Sequence, residues 1–115
     1  MRPVRSAVGV LATLVLVGCQ AASDAPLDAE PVLGVDRIDM HDRAFDPPVV
    51  QVPAGTTVTW AFTDGGTRHN VVGDGFESEV ASDGTFTHTF ARPGTYDYTC
   101  TLHSGMDGRV IATDA

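Results

Sequence analysis

The sequence contains no lysine: its seven basic residues are all arginine, against fifteen aspartates and glutamates, for a formal charge of −8 over 115 residues. So acidic a chain repels nucleic-acid phosphates and anionic lipid headgroups at long range, which excludes non-specific nucleic-acid binding. Cysteine is scarce, with only Cys19 and Cys100, so a disulfide-stapled scaffold is excluded as well. No apolar run is long enough to span a bilayer: Ala7 to Val17 is eleven residues, whereas a spanning helix needs about 20. There is no internal repeat and no long amphipathic period, which removes parallel α/β nucleotide folds and helix-built metal cages.

What stands at the start is a processing segment. Arg2 and Arg5 precede the apolar run, and small residues follow it, the layout of a secretory signal over residues 1–18. Leu16-Val17-Gly18-Cys19 also resembles the bacterial lipobox. That resemblance implies lipid on Cys19 and a lipid-anchored protein on the extracytoplasmic side of a bacterial cell envelope. Residues 19–31 are polar and proline-punctuated, without a period of 2 or 3.6, and are expected to be a disordered tether. Removing residues 1–18 leaves 97 residues with five arginines against all fifteen acids, a formal charge of −10. A cationic docking partner is favoured, through an attraction that salt screens.

Residues 32–115 are read as one domain. Short β-favouring runs cut by turn residues predict an all-β sandwich, with strands over Leu33–Met40, Val49–Val52, Thr56–Thr63, Arg68–Val72, Gly84–Phe90, Gly94–Thr99 and Arg109–Thr113. Val58, Trp60 and Phe62 alternate with Thr57, Thr59 and Ala61, so the three large groups should face the core. Phe86, His88 and Phe90 share a face in the same way. Residues 73–83 read as a loop or a brief helix.

With Cys19 assigned to lipid, Cys100 is a lone thiol in an exported domain, hence a buried hydrophobe, an intermolecular bridge or a ligand. Its neighbourhood favours the last. The run Tyr98-Thr99-Cys100-Thr101-Leu102-His103-Ser104-Gly105-Met106 carries a strand into a tight loop that returns His103 and Met106 at spacings of three. A thiolate, an imidazole, a weak thioether and a second histidine match a copper electron-transfer site, and His69 is the natural second histidine.

Here the sequence resembles the plastocyanin and amicyanin family of small blue-copper proteins over about residues 35–113. The likeness is carried by Ala44-Phe45-Asp46-Pro47, by Val52-Pro53-Ala54-Gly55 through Trp60, by His69-Asn70-Val71, and by Pro93-Gly94-Thr95-Tyr96 through Cys100 with His103 and Met106. It implies a cupredoxin-like Greek-key β-sandwich of eight strands with a short, compact ligand loop. It also implies one type 1 copper per chain held by His69, Cys100, His103 and Met106. The protein would be a monomeric electron carrier, not an enzyme, exchanging electrons with a redox donor and an acceptor. Asn70 would tie the two ligand loops together against Thr101, and His103 would be the electron port.

One departure is Leu102, where family members commonly have proline. Its amide either donates to the Cys100 sulfur, tuning the potential, or its side chain packs at the docking face. His41 and His88 lie away from the motif, His41 in a solvated turn and His88 against Phe86 and Phe90. A zinc site would waste the methionine, and thiol hydrolysis would need oxyanion machinery that the sequence does not offer. The competing function is copper delivery or storage, which favours exposed, exchangeable methionines and histidines over one compact set.

Overall fold

The computed structural model describes residues 26–114. Cys19, the signal over 1–18 and the start of the tether lie outside the described residues. Ten strands follow one another: β1 (Val32–Leu33), β2 (Arg37–His41), β3 (Ala44–Asp46), β4 (Val49–Pro53), β5 (Thr56–Ala61), β6 (Val72–Gly73), β7 (Phe76–Glu77), β8 (Thr85–Phe90), β9 (Gly94–Thr99) and β10 (Asp107–Thr113). They form two mixed sheets, one in the order β1-β4-β10-β9-β6-β7 and one in the order β3-β2-β5-β8. The fold is an all-β sandwich, without an α-helix among the described residues.

The alternation read in β5 places Val58, Trp60 and Phe62 inside, at 0%, 0% and 5% exposure. Trp60 is the hub. Its ring lies 5.9 Å from Phe76, 5.6 Å from Phe86, 6.2 Å from Phe90 and 5.3 Å from Tyr98. Two glycines make room for this aromatic core, because a Cβ at Gly108 would overlap the Tyr98 ring and one at Gly73 the Phe76 ring. Strand β8 keeps Phe90 buried and Phe86 and His88 half-buried, with Thr85, Thr87 and Thr89 exposed. Between β4 and β5, Gly55 takes φ 94 and its amide donates to the Phe90 carbonyl at 2.6 Å, tying that turn to the end of β8.

Five expectations need correction. The predicted strand Leu33–Met40 is broken: Gly34, at φ 75, bonds to the Gln51 carbonyl at 2.9 Å. Val32 and Leu33 therefore pair with β4, while Arg37 and Ile38 pair with β5 in the other sheet. The last tether residues are ordered, because Pro26–Asp28 forms a 3-10 turn packed on β10 and Leu27 reaches the apolar groove beside Val72 and Tyr98. The predicted strand Arg68–Val72 is reduced to an isolated bridge between His69 and Ala81, followed by the short β6. Its ladder is interrupted where the Val71 amide donates to the side chain Ser78 Oγ at 2.8 Å. Residues 73–83 contain β7 and no helix. The short pieces bring the described strands to ten where the family resemblance implied eight.

Candidate metal centre

Strand β9 ends at Thr99 and β10 begins at Asp107, and these two residues are the last cross-strand pair of the hairpin. Everything between them is loop. The loop closes on itself: the Cys100 amide donates to the Met106 carbonyl at 2.9 Å, Thr99 Oγ1 donates to that carbonyl at 3.0 Å, and the Met106 amide donates to the His103 carbonyl at 3.2 Å. Cys100 and Met106 are thereby held at the two ends of the loop, both buried, at 2% and 1% exposure. Thr101, Leu102, Ser104 and Gly105 face outward.

His69 arrives from the other side. Its backbone is fixed by paired bonds with Ala81, at 3.0 and 2.9 Å, and its side chain is wholly buried. Asn70 joins the two ligand segments, its side-chain amide donating to Thr101 Oγ1 at 2.9 Å while its carbonyl oxygen accepts from the Thr101 amide at 2.8 Å. Two reciprocal bonds from one buried side chain define the separation of the segments more tightly than either could alone.

The ligating atoms of His69, Cys100 and His103 all lie within 4.8 Å of one another. His69 Nδ1 is 3.7 Å from Cys100 Sγ, and the two histidine rings are 4.8 Å apart at 60°. His103 is half-buried, with Nε2 at 3.1 Å from the Arg68 carbonyl. A carbonyl can only accept, so Nε2 carries the proton and Nδ1 keeps its lone pair. Bonds of about 2.0–2.1 Å to nitrogen and about 2.3 Å to sulfur, about 120° apart, separate the two atoms by about 3.8 Å. The spacing of His69 Nδ1 and Cys100 Sγ therefore lets both atoms reach one shared ion. A thiolate with two imidazoles and a buried methionine close by is a soft, sulfur-rich donor set that suits copper better than zinc.

Leu102 is 46% exposed, and among the described residues the Cys100 sulfur has His69 Nδ1 as its hydrogen-bonding neighbour rather than the Leu102 amide. His41 is exposed, 3.9 Å from Asp46, and His88 stacks on Phe76 at 4.7 Å and meets Phe90 edge-on at 4.8 Å. Neither approaches the cluster.

Asp64 is the residue that sequence reading missed. Its carboxylate sits 2.9 Å from His69 Nε2 and accepts from the amides of Asp42 at 3.1 Å and Arg43 at 2.9 Å. The Arg43 amide, then the His69 contact, hold its carboxyl below the usual carboxylate range. Asp42 and Arg43 are both left-handed, at φ 50 and 58, conformations that cost non-glycine residues about 1–3 kcal/mol each. The one available signal was an acid five residues before the histidine, and that spacing has no meaning until the turn folds back.

Residues 9–112 match the family model of the cupredoxin-like domain. The chain is 33% identical over 114 residues to amicyanin-alpha of Methylorubrum extorquens, covering 92% of this chain and 90% of that protein. It is 47% identical over 77 residues to halocyanin of Natronomonas pharaonis, covering 59% of this chain and 47% of the relative. Among solved structures, the Cu(I) form of an amicyanin mutant superposes with a TM-score of 0.60 at 28% identity, over 76% of this chain and 89% of that one.

Proposed function

Because the chain belongs to the cupredoxin-like family, we propose that His69, Cys100, His103 and Met106 hold one type 1 copper ion, through which the protein carries single electrons between a redox donor and an acceptor. It is an electron carrier of that family and not an enzyme. The observation that carries the copper assignment is the cluster of three ligating atoms within 4.8 Å, two of its residues buried, above a loop that also buries Met106.

When bound, copper supplies a one-electron couple between Cu(I) and Cu(II). The protein's part is to keep its ligands still. Cys100 and Met106 are fixed at the mouth of the β9–β10 hairpin, His69 is fixed by its bridge to Ala81, and Asn70 locks the two segments to each other. Burial of His69, Cys100 and Met106 excludes water from the inner side, so little rearrangement accompanies a change of charge. Leu102 and Gly105 offer a small exposed face beside His103 through which a partner can approach.

Electron carriage and copper delivery give opposite results on the same sample. A carrier keeps copper through repeated reduction and oxidation, and its self-exchange is fast without loss of metal. Rapid surrender of Cu(I) to a weak chelator, with slow exchange, would make delivery the function instead. The rate with a cationic redox protein should also fall as salt rises, because the formal charge of −10 beyond residue 18 attracts over distances that salt screens.

The proposal extends to location. Lipid on Cys19 would hold the domain at the extracytoplasmic face of a bacterial membrane, and Leu16-Val17-Gly18-Cys19 supports that reading. Mass spectrometry of the purified mature protein should find an N-terminal cysteine bearing acyl chains. An unmodified N-terminus at another residue would contradict it.

A further inference from the structure

We infer that Asp64 is the positioning residue of the buried histidine, fixing the tautomer and ring orientation of His69 and tying the turn between β2 and β3 into the metal site. An ionised carboxylate can only accept hydrogen bonds. With Asp64 Oδ2 2.9 Å from Nε2, that nitrogen must carry the proton, and the lone pair is left on Nδ1, the atom 3.7 Å from Cys100 Sγ. His69 is at 0% exposure, so no solvent is at hand to replace that acceptor. A ring turned over would put carbon against the carboxylate and against the sulfur, losing both contacts. Asp64 therefore selects one of two ring orientations and one of two tautomers, the combination that can ligate.

The carboxylate is itself held. Asp64 Oδ1 accepts from the Asp42 amide and Oδ2 from the Arg43 amide, both from the turn that joins β2 to β3 in the opposite sheet. These three contacts make one continuous connection from a left-handed turn through a carboxylate to the imidazole. Outer partners of this kind orient a metal-binding histidine and raise its basicity, and losing one typically costs about 10–100-fold in metal affinity. The bland rival is that Asp64 only caps the turn, with its contact to His69 incidental.

The tautomer of His69 separates the two, and it can be read without metal. Nitrogen NMR of histidine-labelled, metal-free mature protein should show His69 protonated at Nε2, with that proton exchanging slowly. Asp64→Ala should abolish the slow exchange, mix the tautomers and weaken copper binding by about 10–100-fold. Asp64→Asn keeps one acceptor oxygen, so it should preserve the Nε2 tautomer and lose less than Asp64→Ala. An Nδ1-protonated His69 in the wild-type protein would overturn the inference even if no variant folds. So would an Asp64→Ala protein with unchanged tautomer, proton exchange and copper affinity. The inference draws on the copper reading only for the affinity arm: a wild-type protein with the expected tautomer that binds no copper would sink that reading and leave the role of Asp64 standing.

Discussion

Replacing Cys100 with serine should abolish the visible thiolate-to-copper absorption of the loaded protein while the sandwich stays folded. Cys100 is 2% exposed, lies just past the end of β9 and shares the hydrophobic core with Trp60, and a nearly isosteric hydroxyl changes its volume little. Leaving that hydroxyl buried without a partner costs about 1–3 kcal/mol, which most domains tolerate. What serine cannot supply is a soft, readily ionised sulfur, and with it goes the covalent contact on which the colour depends. Circular dichroism should be unchanged, and the visible band should be lost completely. A serine variant that kept the band would remove Cys100 from the site.

Trp60→Ala should have the largest effect on stability. Trp60 is wholly buried and meets four aromatic rings at 5.3–6.2 Å, so its removal leaves a cavity bordered by both sheets. Truncations of this kind cost about 3–5 kcal/mol, against about 5–15 kcal/mol for the total stability of a typical domain. With a urea dependence of about 1–3 kcal/mol per M for small proteins, the unfolding midpoint of the metal-free protein should fall by about 1 M or more. A loss below about 1 kcal/mol would mean that the core does not turn on this residue.

The sequence made the central strand and the ligand loop legible because both obey short-range rules. Val58, Trp60 and Phe62 alternate with a period of 2, and Cys100, His103 and Met106 sit within seven residues, so neither needs knowledge of the rest of the chain. His69 was proposed as the second histidine of the donor set and matched by the family resemblance, although 31 residues separate it from Cys100. Less visible were features decided by long-range pairing. Gly34 diverts the chain from one sheet to the other, Leu27 finds an apolar groove made by distant strands, and after Arg68 the chain makes one bridge to Ala81 and then turns the Val71 amide to the Ser78 hydroxyl. Asp64 belongs with these. Its role depends on amides 21 and 22 residues away, and no local pattern announces them.

The most direct test is a titration of copper into the metal-free mature protein, followed by its visible and paramagnetic spectra. The predicted result is saturation at one equivalent, with an intense thiolate-to-copper band that rises in step with binding and bleaches on one-electron reduction while the metal stays bound. Saturation at another stoichiometry, or bound copper without that band, would contradict the assignment of His69, Cys100, His103 and Met106 as a single electron-transfer centre.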